Sequence, residues 1–133
     1  MKHLCADTDV LVDYLRGRQH GKTLYSRWRE KAKVLITLVA SFELLLGAKI
    51  SSNPEQRLLE VRSVIDQHEV LSFDEAAAEI ASDKGAELRK AGLTIEVRDL
   101  LNSSICLANG LPLLTKNRSH YERVSGLQIL SVD

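Results

Sequence analysis

The sequence predicts an α/β fold in which a mostly parallel central sheet carries helices on both faces. Strand-length apolar runs alternate with helical patterns along the chain, the order that crossover units impose. The opening run, His3-Leu4-Cys5-Ala6, ends in the acids of Asp7-Thr8-Asp9. It passes at once into a helical pattern, Val10-Leu11-Val12-Asp13-Tyr14-Leu15. A buried strand that delivers a carboxylate at its C-terminal end is how an open α/β sheet places chemistry at its edge.

Each element has its own signal. The first strand is His3 to Ala6, and its helix stops near Gly17, placed as a C-cap. Asp7 suits the N-cap of that helix, a common and stabilising role. Two ionised carboxylates at a strand exit nevertheless need a partner, because desolvating a charge is expensive, and Asp7 with Asp9 suggests a divalent cation. A second helix is predicted over residues 21–31 and a second strand over 34–36. The next helix carries Phe42, Glu43, Leu44, Leu45 and Leu46 before Gly47. Asn53-Pro54-Glu55-Gln56 is a helix start: a side-chain cap, proline at the first position, then an acid and an amide in the first turn. Leu58, Val61 and Ile65 share the face that follows, and Val70-Leu71 is a short third strand. Asp74 caps a helix whose apolar positions are Ala77, Ile80, Ala81 and Leu88, ended by Gly92. From about Glu96 a further helix sets Leu101, Ile105 and Ala108 on one face, with Gly110 and Pro112 as stop signals. Strands over 111–115 and 127–131 complete the sheet.

No repeat, linker or low-complexity segment interrupts this order, so residues 1–133 read as one domain, long enough to bury a core. Lys plus Arg and Asp plus Glu both number 18, and a neutral chain is unsuited to coating polyanions. Charge is nevertheless local. Arg16, Arg18, Lys22, Arg27, Arg29, Lys31 and Lys33 fall in one stretch with a single acid, Glu30. Most such runs are solvated helix faces. Cys5 and Cys106 lie in apolar stretches without metal-ligand spacing to His3, His20, His68 or His120, which predicts buried reduced thiols. The histidines take solvated or capping roles by default. No apolar stretch approaches a membrane span and no signal-peptide pattern opens the chain, so a cytoplasmic protein without membrane contact is expected.

The chemistry lies with three acids. Asp7 ends strand one, Glu43 follows strand two by about two helical turns, and Asp99 sits in the first turn of the helix from Glu96. Asp99 also suits the helix macrodipole, worth about 0.3–1 kcal/mol. Glu43 has apolar neighbours that leave its helix little face for water. Strand ends and helix starts converge on one edge of a parallel sheet, so the three acids are expected within mutual reach of one Mg²⁺ or Mn²⁺. Hard cations prefer such oxygen ligands, and without one at least one carboxyl pKa should rise. Thr8, Asp9, Glu96, Thr115 and Asn117 are candidates to orient the acids or a water. Lys116, Arg118 and Arg123, following strand four, are candidates to hold phosphate, with Arg16 and Arg18 extending the track. Neither a Ser-His-Asp or Cys-His arrangement nor a glycine-rich phosphate loop is present. An all-carboxylate edge suits metal-assisted attack on a phosphoryl group. The helices over 44–50 and 58–65 carry more apolar side chains than one sheet face needs, the mark of a partner surface.

These motifs resemble those of PIN-domain proteins, in particular VapC-type toxin ribonucleases. The resemblance rests on Asp7-Thr8-Asp9-Val10-Leu11-Val12-Asp13-Tyr14-Leu15-Arg16-Gly17 and on Ile36-Thr37-Leu38-Val39-Ala40-Ser41-Phe42-Glu43-Leu44. It continues in Asp99-Leu100-Leu101 through Leu107-Ala108-Asn109-Gly110-Leu111, and closes with Thr115-Lys116-Asn117 and Tyr121-Glu122-Arg123-Val124-Ser125-Gly126-Leu127. It implies a three-layer PIN-like fold and a Mg²⁺-dependent endoribonuclease, the toxin of a type II toxin–antitoxin pair. Such proteins are usually dimers, neutralised by a small VapB-like antitoxin whose tail enters the acidic site. Asp7, Glu43 and Asp99 become the catalytic, metal-binding acids. Three departures stand out. Asp9 replaces the usual Asn, and Asn102-Ser103-Ser104 replaces small apolar residues. Val97, Asn117 and His120 occupy places where a fourth acid is often found, leaving Glu96 as the nearest substitute. Two alternatives remain: a haloacid-dehalogenase-like phosphatase with Asp7 as nucleophile, and a PIN-like module that binds RNA or an antitoxin without cutting.

Overall fold

The computed structural model describes residues 3–131, without the side chains of residues 20 and 21, so the predicted role of His20 lies outside the described residues. Five strands, β1 (His3–Ala6), β2 (Lys33–Thr37), β3 (Val70–Leu71), β4 (Leu113–Leu114) and β5 (Ile129–Leu130), form one sheet in the order β3-β2-β1-β4-β5. Every pairing is parallel, and Cys5 of β1 lies between Leu35 of β2 and Leu113 of β4. The helices are α1 (Thr8–Arg16), α2 (Gln19–Arg29), α3 (Leu38–Lys49), α4 (Pro54–Asp66), α5 (Glu75–Lys90), α6 (Val97–Ala108) and α7 (Arg118–Tyr121).

Strand side chains alternate between two apolar layers, as the pleat requires. Leu4, Ala6, Val34, Ile36 and Leu114 meet residues of α1 to α4, among them Leu11, Tyr25, Leu44 and Val61. Cys5, Leu35 and Leu113 turn the other way, toward Cys106 of α6 and Tyr121 of α7. Both cysteines are free and buried, and the neighbouring Cys5, then burial, push the Cys106 thiol up. No helix among the described residues is long and apolar enough to cross a membrane.

Most predicted boundaries hold to within two or three residues. Gly17 closes α1 in the left-handed region (φ 66°), and its amide bonds the Asp13 and Tyr14 carbonyls. α3 passes straight through Gly47, where nothing crowds the backbone. The structure corrects two expectations. Proline does open α4, but Asn53 makes no side-chain capping bond. The expected polar loop after β4 winds into α7, which carries Tyr121 inward. Along α3 and its end, Leu38, Phe42, Leu46 and Ile50 are exposed, with Leu59 of α4 exposed as well.

Candidate active site

Asp7 leaves the central strand with its amide bonded to the Leu114 carbonyl at 2.8 Å, which fixes it at the C-terminal edge between β1 and β4. It does cap α1: Oδ1 accepts from the Thr8 amide at 2.9 Å. The remaining capacity faces the interior, where Oδ2 accepts from Thr115 Oγ1 at 2.8 Å and Oδ1 from Asn102 Nδ2 at 3.4 Å. Burial, then the charge of Asp9, push the Asp7 carboxyl up to about 7, against the hydrogen bonds from Thr115 and Thr8. Burial is the larger cause and the neighbouring like charge the smaller.

Glu43 and Asp99 reach the same cleft from other elements. The Thr37 hydroxyl caps α3 by accepting from the Ala40 amide at 3.1 Å, which sets the helix that presents Glu43. Glu43 Oε1 accepts from Thr8 Oγ1 at 2.9 Å and Oε2 from Arg98 Nη1 at 3.0 Å. In the first turn of α6, Asp99 Oδ1 accepts from the Tyr121 hydroxyl at 3.3 Å, and Oδ2 lies 3.5 Å from His120 Nδ1. The three acids, with Asp9 and Glu96, line one open cleft of about 350 Å³. They do not converge on a point. Among the described residues no three His, Cys, Asp or Glu side chains stand together closely enough to hold one ion. As the side chains stand, each acid is turned toward hydrogen-bond donors of the chain.

Asp9 is held from one side only. Its Oδ2 accepts from the Lys116 amide (3.1 Å), Asn117 Nδ2 (2.8 Å) and Thr115 Oγ1 (3.3 Å). Its Oδ1 is shielded from solvent and has no partner among the described residues. An orphaned carboxylate oxygen beside a second buried acid fits a hard cation, as does a donor set made entirely of oxygen. Asp7, Glu43 and Asp99 are the residues that could hold it, with Asp9 at their side.

Some residues at this site escaped the sequence reading. Asn102, recognised there only as a departure from an apolar pattern, is buried and joins β2 to the acids. It accepts from Thr37 Oγ1 at 2.5 Å and donates toward Asp7 and the Tyr121 hydroxyl. The signal was available, since Asn102 follows Asp99 at helical spacing on the same face. Its neighbours Ser103 and Ser104 are buried and bond the Asp99 and Leu100 carbonyls of their own helix. His120 lines the cleft while staying solvent-exposed, and among the described residues Arg98 is the only Arg or Lys that lines it.

The basic candidates are placed differently from expectation. Lys116 is paired with the buried Asp13, and Arg18 approaches the same carboxylate at 3.7 Å. Arg118 donates to the Ile129 carbonyl at 3.2 Å, and Arg123 to the Thr94 carbonyl. Arg16 lines a small groove of about 60 Å³ between α1, α3 and α4, whose wall also includes Glu43. Of this set Arg123 flanks the acids most directly, in an adjoining depression shared with Glu96, Asp99 and His120.

Comparison with known proteins bears on the family and the fold. The PIN domain family model matches residues 4–127. The tRNA(fMet)-specific endonuclease VapC of Shigella flexneri is 32% identical over 98 residues, 74% of each chain. Ribonuclease VapC1 of Methanocaldococcus jannaschii is 28% identical over 128 residues, covering 95% of this chain and 85% of the relative. Among solved structures, DNA-bound VapBC from Salmonella typhimurium superposes with a TM-score of 0.87 at 26% identity, over 98% of both chains. VapBC2 from Rickettsia felis, bound to a promoter DNA fragment, reaches 0.88 at 20% identity, over 98% of this chain and 99% of that one. With its acids at one edge of an all-parallel sheet and the family pattern running through nearly all of the chain, this protein belongs to the PIN-domain family, among its VapC-type ribonucleases.

Proposed function

We propose that this chain is a divalent-cation-dependent endoribonuclease, the toxin of a type II pair, working in the cytoplasm and restrained by a small VapB-like antitoxin. The observation that carries the reading is the shared cleft: Asp7, Glu43 and Asp99 arrive from β1, α3 and α6 at one edge of the sheet. Those three acids are its catalytic residues and would hold Mg²⁺ or Mn²⁺, which supplies charge neutralisation at a phosphoryl oxygen and a more acidic water. The chain's own part is orientation. Thr115 and Asn102 hold the two oxygens of Asp7, Thr8 steers Glu43, and the Tyr121 hydroxyl steers Asp99. Asn117 and the Lys116 amide keep Asp9 against Asp7.

The relatives named VapC are called ribonucleases or endonucleases, and the VapBC structures are toxin–antitoxin neighbours of the same fold, which supports both the substrate class and the partner. Membership of the PIN family leaves the phosphatase alternative without support, and Glu43 and Asp99 have no role in it. Single-stranded RNA incubated with the protein should be cut in Mg²⁺ or Mn²⁺ and left intact once EDTA is added. Asp99→Asn should slow cleavage by at least about 100-fold, since it removes charge from the site while keeping shape. Cleavage that survives both treatments would overturn the proposal. A phosphatase would tolerate Asp99→Asn and accumulate an acyl-phosphate on Asp7.

The exposed apolar stripe of Leu38, Phe42, Leu46 and Ile50 supports association, and a second copy of the chain is the occupant proposed for it. Sedimentation at micromolar concentration should find a dimer, and Phe42→Glu should shift it to monomer. A wild-type monomer under those conditions would count against the dimer.

A further inference from the structure

Arg98 is out of place by the ordinary logic of this site. A cleft built to hold a cation gains nothing from a second fixed positive charge, yet Arg98 immediately precedes Asp99 and its guanidinium crosses from α6 to Glu43 of α3. There it occupies Oε2, while Thr8 occupies Oε1, so both oxygens of Glu43 are engaged. A hydroxyl shares its acceptor with a metal ion at little cost, whereas a guanidinium on the same carboxylate repels the ion and weakens its binding. The Arg98 side chain is 56% exposed, and the bond that keeps it in the cleft is one half-solvated ion pair. Exposed pairs of this kind are easily broken. The other basic candidates near the acids, Lys116, Arg118 and Arg123, are held by partners within the chain.

We propose that Arg98 is an exchangeable counter-ion: it holds Glu43 until a divalent cation displaces it, and then contacts the phosphate backbone of the RNA. The proposal rests on the ribonuclease reading for its second half only. Displacement places the freed guanidinium at the rim of the cleft, where a polyanion entering an acidic site needs a cation to meet it. Guanidinium suits this handover because it pairs with carboxylate and phosphate through the same fork of N–H donors.

Two measurements test it, neither of which depends on turnover. Mn²⁺ binding followed by electron paramagnetic resonance, without RNA, should be about three- to tenfold tighter in Arg98→Gln and Arg98→Ala than in wild type, because a competing charge has gone. Arg98→Lys should stay near wild type. RNA binding in Ca²⁺, taken across a salt series, should weaken in Arg98→Gln and lose about one unit of salt slope. Unchanged or weaker Mn²⁺ binding in the two neutral variants would overturn the exchange, whatever RNA does. Tighter Mn²⁺ binding with an unaltered salt slope would overturn the phosphate contact. A wild-type protein that cuts no RNA in any cation would sink the ribonuclease reading while leaving the Mn²⁺ result to judge Arg98 by itself.

Discussion

Asp7→Asn should abolish RNA cleavage and at the same time make the protein more stable in EDTA. The two effects have one cause. Asp7 is 6% exposed, and burial together with the Asp9 charge raises its carboxyl from 3.8 to about 7. A carboxyl whose folded pKa lies above its unfolded value binds more protons in the native state between those two values. Stability therefore falls as pH climbs through that window, and above about pH 7 the whole penalty is in force. A shift of this size amounts to a few kcal/mol. The asparagine keeps Oδ1 for the Thr8 amide and can donate to Thr115 Oγ1, so the packing survives while the charge goes. Thermal unfolding in EDTA at pH 8 should move up by about 5 °C or more, and the gain should shrink toward pH 5. Mg²⁺ should raise the melting temperature of wild type and have little effect on the variant, because a ligand that binds the folded state stabilises it by mass action. Equal melting temperatures at pH 8, or a wild type most stable at high pH in EDTA, would show that the Asp7 charge is compensated by something else.

Lys116→Met should cost about 3–5 kcal/mol, more than any other single change at the cleft. Asp13 is buried to 3% exposure, and Lys116 is its close partner, with Arg18 standing off at 3.7 Å. Removing Lys116 leaves the buried carboxylate with only the longer, largely exposed Arg18 contact, close to the uncompensated charge that makes such deletions severe. The same replacement in an Asp13→Asn background should cost much less, and the difference between the two, read from urea denaturation, is the coupling between the residues. If the two changes proved additive, Arg18 would be the true partner and Lys116 free for other work. The pairing also revises what a salt titration of RNA binding can reveal. Neutralising Lys116 and Arg118 together removes two side chains that the fold itself uses, so weaker RNA binding in that variant would report a loosened loop as much as a lost phosphate contact.

The architecture was readable because its signals are local. Asp7 at a strand end, Gly17 past a helix and Asp74 before one each carry their reason within four residues, and all three stand as expected. Asn53 failed because a capping preference is statistical and the backbone there, at φ −135° and ψ 71°, does not bring the side chain to an amide. The candidate acids were named because sheet topology sends strand ends to one edge. Their partners were hidden for the opposite reason. Arg98 meets Glu43 across 55 positions, and Asn102 meets Thr37 across 65. Composition says nothing about such distant pairings. Lys116 misled for a related reason, since a lysine after a strand looks free until the helix beneath it is known to bury an aspartate.

Consider finally the span of the bond between Thr115 and Asp7, 108 positions. β1 pairs with β4 at the middle of the sheet, so its neighbour on that side comes from the far side of α1 to α6 along the chain. Closing so long a loop is entropically slow, and contacts of this range come late in folding. Until that loop closes, Asp7 lacks the Thr115 hydroxyl that seats its second oxygen. The edge that gathers the acids is therefore among the last parts of the fold to assemble, and on refolding from urea RNA cleavage should return after helix content does.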